Sequence, residues 1–426
     1  MNRLTAIARA LAALFLAALP LSAQVTVVDA VDAVALGIDP NVHLQNAINA
    51  APPGEILLVR SGYYLSIFGG GPSIDGKSLA IIGEKGASPP VIGRITLRNL
   101  GPTDSVVLRN LDTSLPSGLF SYQTGLVIES SEGTVWAEEC FFPGSSLPGG
   151  ALGNRLVHSG VLMEGPGVLH LVRCEVSGVV GEDDFSSGGP TGFSVGSEGG
   201  FGLELLGGTV NAWRSTITGG FGGDKEGSTT GSYAGGDAVH TSSAATLVLD
   251  GCTLTGGGAD QESGGAGISA PAGTALQLFR RDSLIAGGPG SPDGPPVDAP
   301  DIVQTNLPAA SRDFVLPAPL AVGEQSAVVL EGQPGDLVGV LLALAPGNVL
   351  LPSKQGALAL GGNLRGPFVL GTIPASGQLT VPLQAPSLVP ASLEGQITLG
   401  QLLVRPAGQT SKFLIGPPTA FTLVDG

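Results

Sequence analysis

The chain has 426 residues, 35 of them acidic and 19 basic, for a formal charge of −16. That balance speaks against a nucleic-acid partner, because phosphate backbones are held by clustered Lys and Arg. Glycine fills 68 positions without a G-X-Y period, which excludes collagen, and 42% hydrophobic against 13% charged residues excludes a chain disordered by composition.

In chain order, the first element is a charged start, Met1, Asn2 and Arg3, followed by an apolar run over residues 10–19 and small residues up to Ala23. This reads as a secretory signal peptide over residues 1–23, although Leu21 leaves the A-x-A rule half met. The run is too short to cross a bilayer, and residues 337–345, the next most apolar stretch, read as a buried strand. The mature chain is therefore expected to lack a membrane span and to be secreted or held in the cell envelope.

Residues 39–54, "DPNVHLQNAINAAPPG", place Leu44, Ala47, Ile48 and Ala51 on one helical face and end in a Pro-Pro-Gly stop. Two strand-turn units follow, "EILLVRSGYY" and "LAIIGEKG". A helix at this place is expected to cover the open edge of the first strands.

Residues 105–113, 134–142, 168–176, 209–217 and 246–254 then share one pattern: apolar residues two apart, a two-residue break, a small or apolar residue, and another apolar residue two later. A degenerate copy occupies residues 275–285. The position after the break is Leu111, Cys140, Cys174, Ser215 and Cys252 in turn, at spacings of 29, 34, 41 and 37 residues. Alternation of period two makes each copy a strand, a tight corner and a strand, with inserted loops of unequal length. A third strand, such as "GLELLGG" or "GAGISA", precedes the copies. Stacked copies place Cys174, Ser215 and Cys252 in one inward column, as small buried groups. Cys140 and Cys174, one copy apart, are near enough to pair, whereas Cys252 is expected to stay free.

This repeat, with the helix before it, resembles the secreted right-handed parallel β-helix proteins of pectin-lyase-like fold, over roughly residues 25–300. The expected fold class is all-β: a signal peptide (1–23), a right-handed parallel β-helix with an N-terminal capping helix (24–304), and a small antiparallel β-sandwich (305–426). The last assignment rests on a proline-rich junction at residues 305–320, after which short strands are separated by Pro-Gly and Ser-Gly turns. Sandwiches of this sort often trail β-helices on exported bacterial proteins. Such a unit is expected to cap the last strands, dock a partner or aid export.

Three loops that follow the column carry acidic residues: Asp183 and Asp184, Asp224 and Glu226, then Asp260 and Glu262. Oxygen-rich clusters suit Ca²⁺, and solvated turns built from Asp and Gly are the plainer alternative. Phe185, Phe193, Phe221 and Tyr233 lie in or beside the first two of these loops, either to line a glycan site or to pin the loops. The family resemblance implies two chemistries. Polysaccharide lyases of this fold use calcium-bound carboxylates and an Arg or Lys base, for which Arg173 and Arg214 are the candidates, each one position before the column and facing outward. Glu139 against Arg173 is equally a cross-strand pair. Glycosidases of the fold need N-x-D, G-H-G and R-x-K motifs, which are missing. The four histidines sit in unrelated contexts, and His170, between Leu169 and Leu171, is expected to face outward. The expected function is a non-catalytic binding or structural component with a polysaccharide or cell-surface ligand; the alternative is a calcium-dependent lyase of acidic polysaccharide.

Overall fold

The computed structural model describes residues 25–424 apart from 66–70, 85, 87, 116–123, 146–157, 182–196, 224–232, 317–319, 322, 352–355, 363, 385–396 and 410–412. The described chain is mostly β-strand, arranged in three long parallel sheets of ten, eight and five strands, with two short helices at its start.

From residue 134 onward the chain visits the three sheets in rotation. Thr134–Glu138 joins the ten-stranded sheet, Phe141–Pro143 the five-stranded one and Val161–Glu164 the eight-stranded one, before Val168–Val172 returns beside the first. Each circuit pairs with the previous one in parallel and in register: Leu169 with Val135 and Val210, Val176 with Phe142 and Ile217. Period-two alternation sends Val135, Ala137, Leu169, Leu171, Val210, Ala212, Leu247 and Leu249 into one continuous interior.

At the start, helix α1 (Ala30–Ala35) and helix α2 (Pro40–Ala50) are capped by Asp29 and Asp39, whose carboxylates accept from Val31 and Asn41 N–H at 2.8 Å each. Leu44 and Ile48 of α2 join the interior as expected. Gln45 both accepts from Ser73 N–H at 2.7 Å and donates to Ser73 C=O at 3.0 Å, so one side chain completes the ladder of the outermost strand of the eight-stranded sheet.

The corners after six successive strands of the ten-stranded sheet, from Ser105–Arg109 to Leu276–Arg281, share one backbone conformation. Asn110, Glu139, Arg173, Arg214, Gly251 and Asp282 all adopt positive φ, between 44° and 66°. The next residue folds its side chain back on the carbonyl two positions earlier: Cys140 Sγ on Glu138 at 3.3 Å, Ser215 Oγ on Trp213 at 3.1 Å, Cys252 Sγ on Asp250 at 3.6 Å and Ser283 Oγ on Arg281 at 3.0 Å. From Cys140 onward every position after the corner is Ser or Cys, a short side chain with a donor, whereas the first copy has the apolar Leu111. All three cysteines are free, so Cys140 and Cys174, although one circuit apart, are not bonded. Burial pushes the Cys252 thiol up to about 12 and raises Cys140 well above the ordinary range, which keeps both protonated and unreactive.

Beyond the five-stranded sheet, the glycine-rich stretches form paired arms. Gly200 donates to Val179, and a single chain of hydrogen bonds of 2.7–2.9 Å then runs Gly220 to Gly200, Gly236 to Gly220, Gly257 to Gly236, Gly265 to Gly257, Gly288 to Gly265 and Gly294 to Gly288. The backbones approach so closely that a Cβ on Gly220 would lie 1.6 Å from Val179 C=O, and one on Gly257 1.8 Å from Gly220 C=O. Replacing Gly220 by Ala is expected to cost about 3 kcal/mol or more. Gly273→Ala, where φ is +86° and nothing lies within 4 Å, costs only the backbone strain of about 1 kcal/mol. Chemical denaturation of the two variants checks the difference.

After residue 312 the strands become mainly antiparallel: Asp313–Val315, Gln325–Glu331 and Gln378–Gln384 in one sheet, and Leu337–Ala343, Arg365–Thr372, Ile397–Arg405 and Leu414–Val424 in another. These strands lie along the outer face of the ten-stranded sheet. Ile82, Val107, Trp136, Val172, Trp213 and Val248 pack there against Ala343, Ala357, Ala359, Leu360, Leu399 and Ala420.

Candidate functional site

The outward face of the ten-stranded sheet carries a row in which charged and apolar groups follow one another from circuit to circuit. Arg109, Glu138, Val172, Trp213, Asp250 and Arg281 form one register row, and every one is buried. Glu138 is fully buried and receives five donors. Trp136 Nε1 lies at 3.2 Å, Thr419 Oγ1 at 2.5 Å, Ala420 N–H at 2.6 Å, Arg109 Nη2 at 3.5 Å, and Arg173 Nη2 makes the fifth contact. Arg109 also donates to Leu316 C=O at 3.1 Å and to Ala420 C=O, and Arg173 donates to Phe314 C=O at 3.1 Å. Burial raises the pKa of the Glu139 carboxyl, but Arg109 and Arg173 outweigh it and hold the group below the usual range.

The expectation of a solvent-facing Arg173 is thereby corrected. It points away from the sheet interior, yet its guanidinium is 15% exposed and shared between Glu138, Glu139 and Asp313. His170 faces outward as expected, but it too is fully buried. Its Nε2 lies 2.9 Å from Gly347 C=O, Asn211 Nδ2 lies 3.2 Å from its Nδ1, and the Trp136 and Trp213 rings flank it at centroid distances of 5.5 and 5.7 Å. Burial draws its pKa down to about 4.

Arg214, one circuit beyond Arg173, has a different environment. Its Nε donates to Arg312 C=O at 3.3 Å, and its two terminal nitrogens make no hydrogen bond among the described residues. It lines an open polar cleft of about 510 Å³ at the seam between the parallel sheets and the C-terminal strands, opposite Ser311, Glu331, Gln333, Ser376 and Gln378. Of the two arginines singled out in the sequence, Arg173 is held in the charged cluster and Arg214 lines this cleft.

A second polar cluster lies on the eight-stranded sheet. His240 Nδ1 is 2.8 Å from Ser269 Oγ, Ser269 Oγ donates to Asp237, and Asp237 also accepts from Ala266 N–H at 2.7 Å. Phe201 stacks on the His240 ring at 4.4 Å. The serine proton goes to the carboxylate rather than to the imidazole, so His240 is not placed to activate Ser269 as a nucleophile. No sequence spacing signalled this trio; register between neighbouring circuits creates it.

The acidic-loop residues Asp183, Asp184, Asp224 and Glu226, and the aromatics Phe185 and Phe193, lie outside the described residues. Asp260 and Glu262 are exposed, and among the described residues no group of three His, Cys, Asp or Glu is arranged to hold a metal ion. Phe221 is 39% exposed, and Tyr233 is half-buried with its N–H on Gly223 C=O at 2.7 Å. Among the described residues no helix is long and apolar enough to cross a membrane. The chain matches no protein-family model and no curated protein sequence.

Glu138→Ala leaves Arg109 and Arg173 buried without their main counter-charge and is expected to destabilise by about 3–5 kcal/mol in chemical denaturation. Acid has a separate effect through His170. Its folded pKa of about 4 lies below the ordinary 6.5, so between these values the unfolded chain binds the proton and the folded chain does not. Stability from this group is intact above pH 6.5 and is lost as the pH falls toward 4, by on the order of 3 kcal/mol. Melts of the wild type and His170→Gln from pH 7 to 4 check it: the wild type should lose more stability across that window.

Proposed function

We propose that the chain is an exported protein in which a right-handed parallel β-helix (24–304) carries a β-sandwich (305–426) along its side, and that it acts as a non-catalytic binding or structural component with a saccharide ligand. The right hand follows from the near-universal handedness of parallel crossovers. Export rests on the apolar leader ending near Ala23.

The observation that carries the non-catalytic reading is the fate of the Arg–Glu ladder. A lyase base must meet the substrate, whereas Arg173, Arg109 and Glu138 are all spent in joining the two parts of the chain. The surface we assign to recognition is the seam cleft, whose hydroxyl, amide and charged groups suit a hydrated ligand.

The test incubates residues 24–426 with a panel of acidic and neutral polysaccharides, with and without Ca²⁺. Ultraviolet absorbance follows unsaturated uronates, and affinity electrophoresis follows binding. Retardation by at least one polysaccharide without product is the expected result. Calcium-dependent product that disappears in Arg214→Ala would replace this reading with the lyase, and absence of both product and retardation would remove the saccharide from it.

A further inference from the structure

We infer that the seam cleft is an oxyanion-binding site, in which Arg214 offers its guanidinium fork to a carboxylate, sulfate or phosphate group of the ligand. The inference rests on the binding reading above and names the chemistry of its site.

The other arginines along the seam are each matched by a carboxylate. Arg109 lies 3.5 Å from Glu138, Arg281 lies 3.4 Å from Asp250, Arg312 lies 2.6 Å from Asp336, and Arg173 contacts Glu138 directly. Arg214 has no such partner within 4 Å among the described residues. Its one hydrogen bond, from Nε to Arg312 C=O, fixes the plane of the group and leaves both terminal nitrogens available. Two parallel N–H donors in a plane match the two oxygens of a carboxylate, or two of a sulfate or phosphate.

A second guanidinium stands behind the same wall. Arg312 is 1% exposed, and its Nη2 is buried without a hydrogen-bond partner. Its neighbour Ser311 lines the cleft, and its Cδ and Nε lie 3.0 and 3.3 Å from where a Cβ on the cleft residue Gly332 would stand. Asp336 balances one unit of this charge, so the local field comes mainly from Arg214.

The opposing charge within the cleft is Glu331, which is exposed and accepts from Gln378 Nε2 at 3.4 Å; behind the wall, buried Asp250 interacts with both Arg281 and Arg214, and Asp282 accepts from Ser311 N–H at 2.5 Å. A carboxylate facing a bound anion weakens it. The sign of the Glu331 effect therefore separates an anion site from a cation site built on Glu331 itself. Ser311, Gln333 and Ser376 supply donors and acceptors for hydroxyl groups adjoining the anion.

The experiment is isothermal titration calorimetry of residues 24–426 at low ionic strength with inorganic phosphate, inorganic sulfate, D-glucuronate and D-glucose. At least one anion is expected to bind saturably, and glucose is not; the anion preferred tells an acidic sugar from a sulfated or phosphorylated ligand. Arg214→Gln should weaken binding at least tenfold, Arg214→Lys should weaken it less, and Glu331→Gln should tighten it two- to fivefold. Among the described residues the Arg214 side chain makes one hydrogen bond, so the melting temperature of Arg214→Gln should stay near that of the wild type. If that variant unfolds, the exposed Glu331→Gln still decides by its sign. Absence of saturable binding by any of the anions, binding unchanged in Arg214→Gln, or binding lost in Glu331→Gln would each overturn the inference. Anion binding that fails while a polysaccharide still retards the protein sinks this site alone; failure of both sinks the binding reading as well.

Discussion

The fully buried Glu138 carboxylate is the contact on which the rest of the arrangement depends. A bare carboxylate in that position would be prohibitively costly, and five donors converge on it. Two come from arginines on the preceding and following circuits and two from the C-terminal strand Leu414–Val424, so satisfying one charge fixes the circuits and the covering strand together. Its directional bonds set the register with which the apolar face around Trp136, Trp213 and Val248 meets the small residues Ala357, Ala359 and Ala420. Hydrophobic burial supplies most of the attraction there, but it is non-directional and would tolerate sliding. The charged cluster is what specifies position.

On the opposite side of each circuit the constraint is space. The glycine arms pack backbone against backbone, and the hydrogen bonds linking Gly200 to Gly294 alternate between outgoing and returning arms. No side chain fits between them. This satisfies backbone donors without a strand ladder, and it accounts for much of the glycine in the chain.

The strands and the column were legible because period-two alternation repeats in every copy and the Cys/Ser corner in every copy from Cys140 onward, and α2 was legible through its cap and the spacing of Leu44 and Ile48. The arms were not: positions without side chains carry no periodic signal, and the same letters read as loops. The covered outer face left a trace that alternation alone obscured. Val168 and Val172 in one strand and Val248 in another stand on the outward face among the polar His170, Thr246 and Asp250, and apolar residues on both faces are a mark of buried parallel strands. Glu138 could not be recognised as buried, because Thr419 and Ala420, which satisfy it, stand more than 280 residues away. For Arg214 the residue was legible and its cleft was not, since the opposite wall comes from turns near Glu331 and Gln378.

The six corner residues share one backbone conformation and differ in what lies over them. A positive φ costs a non-glycine residue about 1 kcal/mol, and Glu139, Arg173 and Arg214 all bear it. At Glu139 and Arg173 the side chains thrown outward by the corner meet each other, Arg109 and the C-terminal strands, and the cost is offset within the charged cluster. At Gly251 the corner must stay bare, because a Cβ there would stand 2.8 Å from Ser311 Oγ and 3.0 Å from Arg214 Cδ. The glycine thus leaves room for the Arg214 side chain to lie across the following circuit toward Ser311. Arg214 bears the same strain as Arg173, and among the described residues its side chain receives in return one hydrogen bond to a backbone carbonyl and the field of Asp250, which is the pattern expected of a group positioned for something other than stability.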